Sequence, residues 1–258
     1  MIWRRSSTRC LPASWRPVDV LALRSALFNM VMVLSVLIYA PLSLLTFPLP
    51  PLARYRFVIQ WPRFHIWLLR WLCRLDYRVE GKENLPPGPA IILSKHQSAW
   101  ETLAFELIFP PITWVLKREL MSVPFFGWAL ALLRPIAIER GTGRRAVEQV
   151  VEQGRERLAA GLWVLVFPEG TRMPPRTHRK YKLGGAVLAQ ASGYPVVPVA
   201  HNAGSFWPRR GFLKYPGVIR MVIGPAIDSQ GRSAEEINRL AEAWIEATMA
   251  ELEKPQQL

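Results

Sequence analysis

The feature that most limits how this chain can fold is a long stretch without charge near its N-terminus. No residue from Ser25 to Ala53 is charged, and the stretch is long enough for one membrane span of about 20 residues. A cleavable signal peptide is excluded, because the apolar run is long for such a peptide and Pro41 follows Ala40 with no small-residue cleavage site. We therefore predict a hydrophobic N-terminal membrane anchor at residues 25–53.

Arginines flank this stretch on both sides. The preceding segment contains Arg4, Arg5, Arg9, Arg16 and Arg24, and the following one contains Arg54, Arg56, Arg63, Arg70, Arg74 and Arg78. Because cytoplasmic loops carry an excess of Lys and Arg, two basic flanks favour a re-entrant hairpin or an in-plane anchor, with both ends cytoplasmic, over a single span. Prolines are expected to break the second half of the stretch, at Pro41, Pro48, Pro50 and Pro51.

The charge of the chain indicates the kind of partner that it binds. Lys and Arg number 33 against 19 Asp and Glu, a formal net charge of +14, which suits an anionic membrane, an acidic protein or nucleic acid. No helix-turn-helix, zinc-finger or RNA-recognition signature is present, so no nucleic-acid partner is predicted. Together with the anchor, the charge predicts association with an anionic membrane, at the cytoplasmic face of a bacterial-type inner membrane.

The stretch from Phe57 to Leu75 mixes large apolar side chains, several of them tryptophans, with arginines. This pattern is typical of an amphipathic helix lying at a membrane surface, and it fits a helix packed on a protein core equally well. A turn region rich in Pro and Gly follows at 81–89. We therefore divide the chain into membrane-anchoring helices at 1–80 and a single folded domain at 81–258.

From residue 90 onward, short apolar runs alternate with helical patterns. Strands are predicted at 90–93, 112–117, 135–138, 163–167, 196–199 and 218–223, with helices after Glu101, at 143–160, at 185–192 and after Ser233. This alternation predicts an α/β fold, with a mixed, mostly parallel sheet flanked by helices. Pro198 lacks the N–H that an inner strand uses, so its strand is expected at a sheet edge or at a bulge.

The segment Ser94–Glu101 places a histidine and an acid just past the first of these strands. A carboxylate on the second nitrogen of an imidazole fixes its tautomer and stabilises the imidazolium, so His96 and Glu101 form a candidate general-base pair. Five residues of α-helix turn through about 500°, so the pair can meet only if His96 lies in the turn and Glu101 in the first helical turn. Ser98-x-x-Glu101 fits a capping box equally well, with Glu101 satisfying backbone amides.

Further charged residues come at or just past the ends of predicted strands, where open α/β sheets bind ligands. They are Lys117, Arg140, Glu169 and Arg172. Three cations there suit a phosphate, to which arginines make bidentate contacts. Arg172 is the strongest candidate, because it follows a turn that also presents backbone amides. The alternative is that these cations belong to the solvated surface of a basic protein, and for Lys117 the two interpretations are equally weighted.

The His-x₄-acid spacing of His96 and Glu101, followed downstream by Phe167–Arg172, resembles the glycerolipid acyltransferase family. The resemblance extends from about Ala53 to Ile227 and makes residues 81–258 the acyltransferase domain. It implies transfer of a fatty acyl group from acyl-CoA or acyl-carrier protein to the sn-2 hydroxyl of lysophosphatidic acid, with no cofactor. The alternative acceptors are another lysolipid or glycerol 3-phosphate. The family's acid is usually Asp, so Glu101 is a departure.

The resemblance also implies roles for individual residues. His96 is the base, Glu101 orients it, and Arg140 belongs to the second motif. The third motif, which binds the glycerol phosphate of the acceptor, contains Glu169, Gly170, Thr171 and Arg172. Val197–Val199 matches the fourth motif, on the acyl-donor side. Backbone amides at the helix start after His96 are expected to hold the oxyanion.

Other chemistries have less support in the sequence. Ser94 and Ser98 lie near His96, but no G-x-S-x-G turn marks a serine nucleophile. The four histidines include no pair at metal-ligand spacing, so no metal is predicted. Cys10 and Cys73 show no metal or redox spacing. The rival from another class is a non-catalytic membrane scaffold, which loss of activity on changing His96 alone would exclude.

Overall fold

The computed structural model describes residues 17–139 and 141–254. Its helices are α1 (Pro17–Leu44), α2 (Pro51–Val58), α3 (Gln60–Leu72), α4 (Trp100–Ile108), α5 (Phe126–Ala131), α6 (Arg144–Ala159), α7 (Gly184–Ser192), α8 (Ala203–Phe206) and α9 (Ala234–Leu252). Its strands are β1 (Leu75–Glu80), β2 (Ile91–Ser94), β3 (Ile112–Lys117), β4 (Ile136–Ile138), β5 (Trp163–Val166), β6 (Val196–His201) and β7 (Gly217–Ile223). Short 3₁₀ helices occur at Lys82–Asn84 and Arg118–Ser122.

The strands form one seven-stranded sheet in the order β1-β7-β6-β2-β5-β3-β4. Neighbouring strands are parallel except β6 and β7, which are antiparallel. Helices α3 and α4 pack on one face, and α6, α7 and α9 pack on the other. Strands β2 and β5 are buried on both faces, which is why they occur in the sequence as unbroken apolar runs. The predicted mixed, mostly parallel sheet flanked by helices is confirmed.

Strand β1 is the one strand of the sheet that was not predicted. Its sequence alternates apolar Leu75, Tyr77 and Val79 with charged residues, a pattern typical of a half-buried strand. It pairs in parallel with β7 along its whole length, from Leu75 opposite Gly217 onward. The sheet therefore begins N-terminal to the domain boundary predicted at residues 80 and 81.

Pro198 was expected at a sheet edge or at a bulge, and the edge is wrong because β6 lies between β7 and β2. The carbonyl of Pro198 accepts a hydrogen bond from the Gly224 N–H at 2.9 Å, so the proline nitrogen faces the same neighbour. The β6–β7 ladder pairs Val199 with Ile223, the last residue of β7. The missing N–H therefore falls just beyond the end of a ladder, where an inner strand can accept a proline.

Helix α1 continues to Leu44 with Pro41 inside it, so the predicted break at Pro41 is wrong. A proline removes one backbone hydrogen bond, and the rest of this long helix remains. The chain turns at residues 45–50, and Pro51 begins α2, where a missing N–H has little cost. Within the described part of the chain, α1 is the one helix long and apolar enough to cross a membrane, with a mean hydropathy of 2.0 over Asp19–Leu44.

The two sides of α1 differ in chemistry. On the side that faces the protein, Oγ of Ser35 lies 3.1 Å from Nε2 of His65 and accepts a hydrogen bond from Trp61 Nε1 at 3.0 Å, both on α3. On the outer side, large apolar residues are exposed, namely Leu23, Leu27, Met30, Val33, Leu34, Leu37, Ile38 and Leu42. Only 11% of the most apolar window of α1 is buried, which distinguishes it from the core helix of a soluble protein.

Helix α3 occupies residues 60–72 of the stretch predicted to be amphipathic. His65, Ile66 and Leu69 are buried against the protein, which confirms the core-packing interpretation. Trp67 and Trp71 on the opposite side are 54% and 67% exposed. The helix therefore packs on the core and also presents tryptophans outward, so its contact with a membrane surface stays a prediction.

Candidate active site

The two main sequence motifs meet where β2 and β5 end, in the middle of the sheet. These strands are parallel neighbours, with Leu93 opposite Val166, so the residues that follow them lie at one edge. The ring of His96, after β2, stacks on the ring of Phe167, after β5, with centroids 3.9 Å apart. The sheet topology therefore joins two segments that are far apart in the chain.

His96 and Glu101 form the predicted pair, with Nδ1 of His96 2.8 Å from Oε1 of Glu101. His96 lies in the turn and Glu101 in the first turn of α4, as the spacing requires. The same carboxylate accepts hydrogen bonds from the N–H groups of Gln97 at 3.0 Å and Ser98 at 2.8 Å. Glu101 therefore contacts the histidine and satisfies the backbone at the helix start at once, and the two interpretations of this segment describe the same residue.

The first two backbone amides after His96, those of Gln97 and Ser98, are not free to hold an oxyanion. The expectation that they do so is wrong. The N–H groups of Gln97 and Ser98 donate to Glu101, and the N–H of Trp100 donates to Oγ of Ser98 at 3.1 Å. The longer acid at position 101 reaches back over the turn, and this is the physical reason that the Gln97 and Ser98 donors are occupied.

The protonation of the pair follows from its surroundings. Burial of Glu101 would raise its pKa, but the electrostatic effects of His201 and His96 and the hydrogen bonds from His96 and the Ser98 N–H outweigh it, so the pKa lies below its usual value. A carboxylate only accepts hydrogen bonds, so Nδ1 of His96 carries the proton that is shared with Glu101. Because the ring is 15% exposed and lines a cavity, Nε2 is the atom available to a ligand.

The third motif folds back onto the main chain of His96. Oε2 of Glu169 accepts a hydrogen bond from the His96 N–H at 3.2 Å, and the N–H of Met173 donates to the His96 carbonyl at 2.7 Å. Gly170 makes the turn between these contacts with a φ of +72°, a conformation that glycine adopts at little cost. The turn therefore fixes the backbone of His96, and the Glu169 carboxylate contacts protein groups.

The site contains a buried lysine, Lys95, that the sequence motifs did not identify. Its side chain is 1% exposed, and its Nζ lies 2.8 Å from Glu169, 2.9 Å from Glu246 and 3.0 Å from the Thr177 carbonyl oxygen. These three acceptors use all three donors of an ammonium group. Glu246, on α9, also accepts a hydrogen bond from the Tyr181 hydroxyl at 2.7 Å. Lys95 therefore ties the end of β2 to the third motif and to the last helix.

The Lys95–Glu169 ion pair opposes the effect of burial on the acid. Burial raises the pKa of Glu169 above its usual value, while Lys95 and the His96 N–H lower it. A buried carboxylate without such a partner would be strongly destabilising. The signal that could have identified Lys95 is its position directly after a fully buried strand, where an ammonium requires an acidic partner.

The cations that were predicted to bind phosphate are placed differently from one another. Arg172 lines the same cavity as His96, and its Nε is buried with no partner among residues 17–139 and 141–254. Thr171 precedes it in the turn. Lys117, at the end of β3, is 47% exposed and lies 2.7 Å from Glu119. Arg140 lies outside the described residues. Of the predicted cations, the structure therefore brings Arg172 to the histidine and places Lys117 in a surface ion pair.

The cavity beside His96 has a volume of about 440 Å³. Its walls come from α1, the α2–α3 segment, α4, β3 and α5. Most of the lining is apolar and includes Met32, Val36, Leu103, Leu116, Leu130 and Leu133. His96 and Arg172 contribute polar groups to the same lining. A ligand with an anionic group and a long apolar chain is complementary to this combination.

A second acid of α4, Glu106, lines the same cavity. The Tyr55 hydroxyl donates a hydrogen bond to its Oε2, while its Oε1 is buried and has no partner in the described part of the chain. Burial raises the pKa of Glu106 to about 8, against the opposing effect of Tyr55. Glu106 is therefore mostly protonated at neutral pH, and the cavity wall carries little negative charge at this point.

Another buried histidine, His201, lies at the end of β6 and was not predicted as part of the site. Its Nε2 lies 2.9 Å from the Lys95 carbonyl oxygen, and its Nδ1 accepts from the Ala203 N–H at 3.3 Å. These partners place the proton on Nε2, and burial lowers the pKa of His201. His201 therefore supports the loop before His96 through these contacts. No set of three or more His, Cys, Asp or Glu side chains that could hold a metal ion occurs among the described residues.

Comparisons with known proteins show which proteins this chain resembles. A family model described as Acyltransferase matches residues 76–202. A 1-acyl-sn-glycerol-3-phosphate acyltransferase from Pseudomonas aeruginosa is 51% identical over 243 residues, which cover 92% of this chain and 95% of the relative. A protein of the same name from Saccharomyces cerevisiae is 31% identical, over 69% of this chain and 60% of the relative. The crystal structure of the 1-acyl-sn-glycerophosphate (LPA) acyltransferase PlsC from Thermotoga maritima has the same fold, with a TM-score of 0.76 at 21% identity over 92% of this chain and 98% of that one.

Proposed function

This chain belongs to the acyltransferase family that includes the 1-acyl-sn-glycerol-3-phosphate acyltransferases, and we propose that it acylates the sn-2 hydroxyl of 1-acylglycerol 3-phosphate. The donor is a fatty acyl thioester, and the product is phosphatidic acid. The observation that carries the proposal is the His96–Glu101 pair, with 2.8 Å between the two groups, beside a cavity lined by Arg172 and by apolar side chains. A base, a cation for the phosphate and room for an acyl chain thus occur together.

The reaction uses His96 as a general base. Its Nε2 accepts the proton of the acceptor hydroxyl while the oxygen attacks the thioester carbonyl, and Glu101 stabilises the imidazolium that forms. Catalysis of this kind typically contributes about 10²–10⁴ in rate. The tetrahedral intermediate then expels the thiolate, which takes the proton from Nε2. Because a thiol has a pKa of about 8.5, it leaves readily and needs little further acid assistance.

A covalent seryl intermediate has no support in the geometry. Oγ of Ser94 donates to the Lys95 carbonyl at 2.9 Å, and Oγ of Ser98 accepts from the Trp100 N–H at 3.1 Å. Both serines are fully buried. Neither hydroxyl is therefore placed to attack a thioester, and this favours direct transfer to the lipid hydroxyl.

The phosphate of the acceptor is assigned to the third motif. Arg172 supplies the guanidinium, Gly170 and Thr171 form the turn that presents it, and Glu169 holds that turn against His96. Arginine suits this role because its planar fork matches phosphate oxygens. Lys117 and Arg140 are further candidates for the same phosphate. Lys117 would exchange its contact with Glu119 for a contact with the ligand.

We also propose that α1 and its neighbours attach the enzyme to a membrane. The outer side of α1 is apolar, Trp67 and Trp71 of α3 are exposed, and Phe125 and Trp128 near α5 are each 50% exposed. Helix α5 packs against α1, so these groups extend one apolar surface. The net charge of +14 adds attraction to anionic lipids, at about 1 kcal/mol for each basic residue near the surface.

The proposed orientation places both chain ends on the cytoplasmic side, because basic residues flank the apolar stretch on both sides. Labels attached near residue 5 and near the C-terminus should therefore both be accessible from the cytoplasm. An N-terminal label found on the other side would replace the hairpin with a single span.

One assay tests the proposed reaction. Purified protein in detergent is offered 1-acylglycerol 3-phosphate, other lysolipids and glycerol 3-phosphate, each with acyl-CoA and with acyl-carrier protein. We expect transfer to 1-acylglycerol 3-phosphate and its loss in His96→Ala, with membrane binding retained. Near-normal turnover by the folded variant would contradict the assignment of the base, and preference for another acceptor would contradict the proposed substrate.

A further inference from the structure

A second arginine reaches the third motif from a distant part of the chain. Nη1 of Arg209, on the loop after α8, donates a hydrogen bond to the carbonyl oxygen of Arg172 at 2.8 Å. Both residues are partly buried. Their guanidinium groups have no carboxylate within ion-pair distance among residues 17–139 and 141–254.

Some partly buried arginines of this chain do have a counter-charge within ion-pair distance, unlike these two. Arg157 lies 2.7 Å from Glu156, and Arg220 lies 3.0 Å from Glu80. Removing a cation from water without an anionic partner is unfavourable. A bound anion would relieve this cost. Phosphate is one of the anions whose oxygens match guanidinium forks.

The loop that carries Arg209 is held in place by a buried lysine. Lys214 is 1% exposed, its backbone N–H donates to Oγ of Ser25 at 3.0 Å, and its Nζ donates to the side chain of Asn29 and to the Phe212 carbonyl, the latter at 2.8 Å. Ser25 and Asn29 both belong to α1. The hydrophobic helix therefore positions the loop, which lowers the entropy lost when a ligand binds to it.

The other end of this loop reaches the cavity. Trp207 lines the cavity together with His96 and Arg172, and it packs edge-on against Phe28 of α1 with ring centroids 5.5 Å apart. Arg209 follows Trp207 by two residues. The loop thus contributes Trp207 to the cavity lining, while Arg209 of the same loop contacts the main chain of Arg172, another lining residue.

We infer that Arg209 and Arg172 together bind a phosphate group, and that this phosphate belongs to the acceptor lipid. The inference rests on the function proposed above. The phosphates of coenzyme A have the same chemistry and are the other source of such a group. The acceptor is assigned here because Arg172 shares the cavity lining with His96, and the acceptor phosphate is close in its molecule to the hydroxyl that His96 deprotonates.

A matched pair of variants tests the inference. Arg209→Gln removes the proposed ligand, and Arg210→Gln removes one charge from the adjacent exposed residue. For Arg209→Gln we expect the KM for 1-acylglycerol 3-phosphate to rise about ten- to hundredfold, the loss typical of a hydrogen bond to a charged group. Its kcat and its KM for acyl-CoA should stay near wild type, and Arg209→Lys should recover part of the loss. Arg210→Gln should behave as wild type.

Three outcomes would overturn the inference. A rise in the acyl-CoA KM alone would assign the phosphate to the donor. A fall in kcat with an unchanged acceptor KM would make Arg209 a group that only holds the Arg172 turn. Equal effects of Arg209→Gln and Arg210→Gln would reduce both to general surface charge. Thermal unfolding of each variant shows that the fold is retained, and Arg209→Lys provides the comparison if the glutamine variant is unstable.

A binding measurement separates this inference from the proposed reaction. Glycerol 3-phosphate should raise the unfolding temperature of the wild type, and Arg209→Gln should require about ten times more ligand for the same shift, in line with the loss of one charged hydrogen bond. If the wild type shows this stabilisation but no transfer to 1-acylglycerol 3-phosphate, the proposed function fails and the phosphate site stands. If the shift is the same in both proteins, the phosphate site fails whatever the activity.

Discussion

The two ends of helix α4 hold buried carboxylic acids in opposite protonation states. Glu101, in the first turn, contacts His96 and two backbone N–H groups, and its pKa lies below the usual value. Glu106, five residues further on, receives one hydrogen bond, from Tyr55, and burial raises its pKa to about 8. One helix therefore lies between a charged, polar edge of the sheet and a nearly neutral, apolar cavity wall.

The comparison shows that burial alone does not decide whether an acid is charged. Glu101 is fully buried and Glu106 is 3% exposed, so the difference comes from the number and kind of donors around each carboxylate. The two acids lie about 7.5 Å apart along the helix axis. An acyl transferase needs both environments, because its base requires a charged partner and its acyl chain requires a wall without charge.

The largest difference is expected when each acid is changed to its amide. Glu101→Gln allows His96 to adopt the wrong tautomer, a change that lowers turnover by about 10⁴ in catalytic triads. Glu106→Gln replaces an acid that is already mostly neutral, so its turnover should stay close to that of the wild type. Initial rates with 1-acylglycerol 3-phosphate measure both, and equal activities would remove the distinction between the two ends of α4.

Shortening the side chain of Glu101 sharpens this result. Glu101→Asp retracts the carboxylate by roughly one C–C bond, about 1.5 Å. We expect a partial loss of turnover with the fold retained, since the turn is built around the longer side chain. Full activity would show that the reach of Glu101 is not needed to orient the base.

The next largest effect is expected for the Lys95–Glu169 ion pair, at the polar edge of the sheet. Lys95→Met leaves Glu169 buried without its counter-charge and should lower the free energy of unfolding by about 3–5 kcal/mol. Glu246→Gln should cost less, because Glu246 is 25% exposed and Glu169 keeps its partner. Chemical denaturation measures both variants. Equally small effects would mean that this network does not hold the third motif in place.

The raised pKa of Glu106, in the apolar cavity wall, predicts that the stability of the fold depends on pH. Because the pKa of Glu106 is about 8 in the folded chain and about 4.3 for a free glutamate, the folded state binds the proton more tightly. The stabilisation that comes from protonated Glu106 is fully present below the pKa of this acid in the unfolded chain. It is lost as the pH rises towards 8. The free energy of unfolding should fall by roughly 5 kcal/mol over this range relative to Glu106→Gln. Parallel pH profiles of the two proteins would contradict the raised pKa.

The smallest effect is expected at the tyrosine that contacts Glu106. Tyr55→Phe removes the hydrogen bond to the acid and the acceptor of the Ile112 N–H, 3.3 Å away. The expected loss is about 1–2 kcal/mol in the free energy of unfolding. Tyr215→Phe, at the surface, is the control and should have little effect. If the free energy of unfolding falls no more than in this control, the Tyr55 contact does not stabilise the cavity wall at Glu106.

Features that depend on a local pattern were predictable from the sequence. Strands β2 and β5 are unbroken apolar runs, and the His96–Glu101 pair follows from a short spacing and one helix start. Features that depend on distant partners were not. Lys95 finds its acidic partners 74 and 151 residues away, and Arg209 finds the Arg172 carbonyl 37 residues away. No local pattern marks such contacts before the sheet order is known. The sheet order also explains why an inner strand can contain Pro198, whose position lies just beyond the ladder between β6 and β7.

The most direct test concerns the tautomer of His96, since the account requires Glu101 to hold the proton on Nδ1 and to leave Nε2 free as the base. Nitrogen-15 NMR of the chain labelled at its four histidines distinguishes the two ring nitrogens, and His96→Gln assigns the signal. We predict that neutral His96 carries its proton on Nδ1, that neutral His201 carries it on Nε2, and that Glu101→Gln changes the first pattern alone. A neutral His96 with its proton on Nε2 in the unmodified chain would contradict the account.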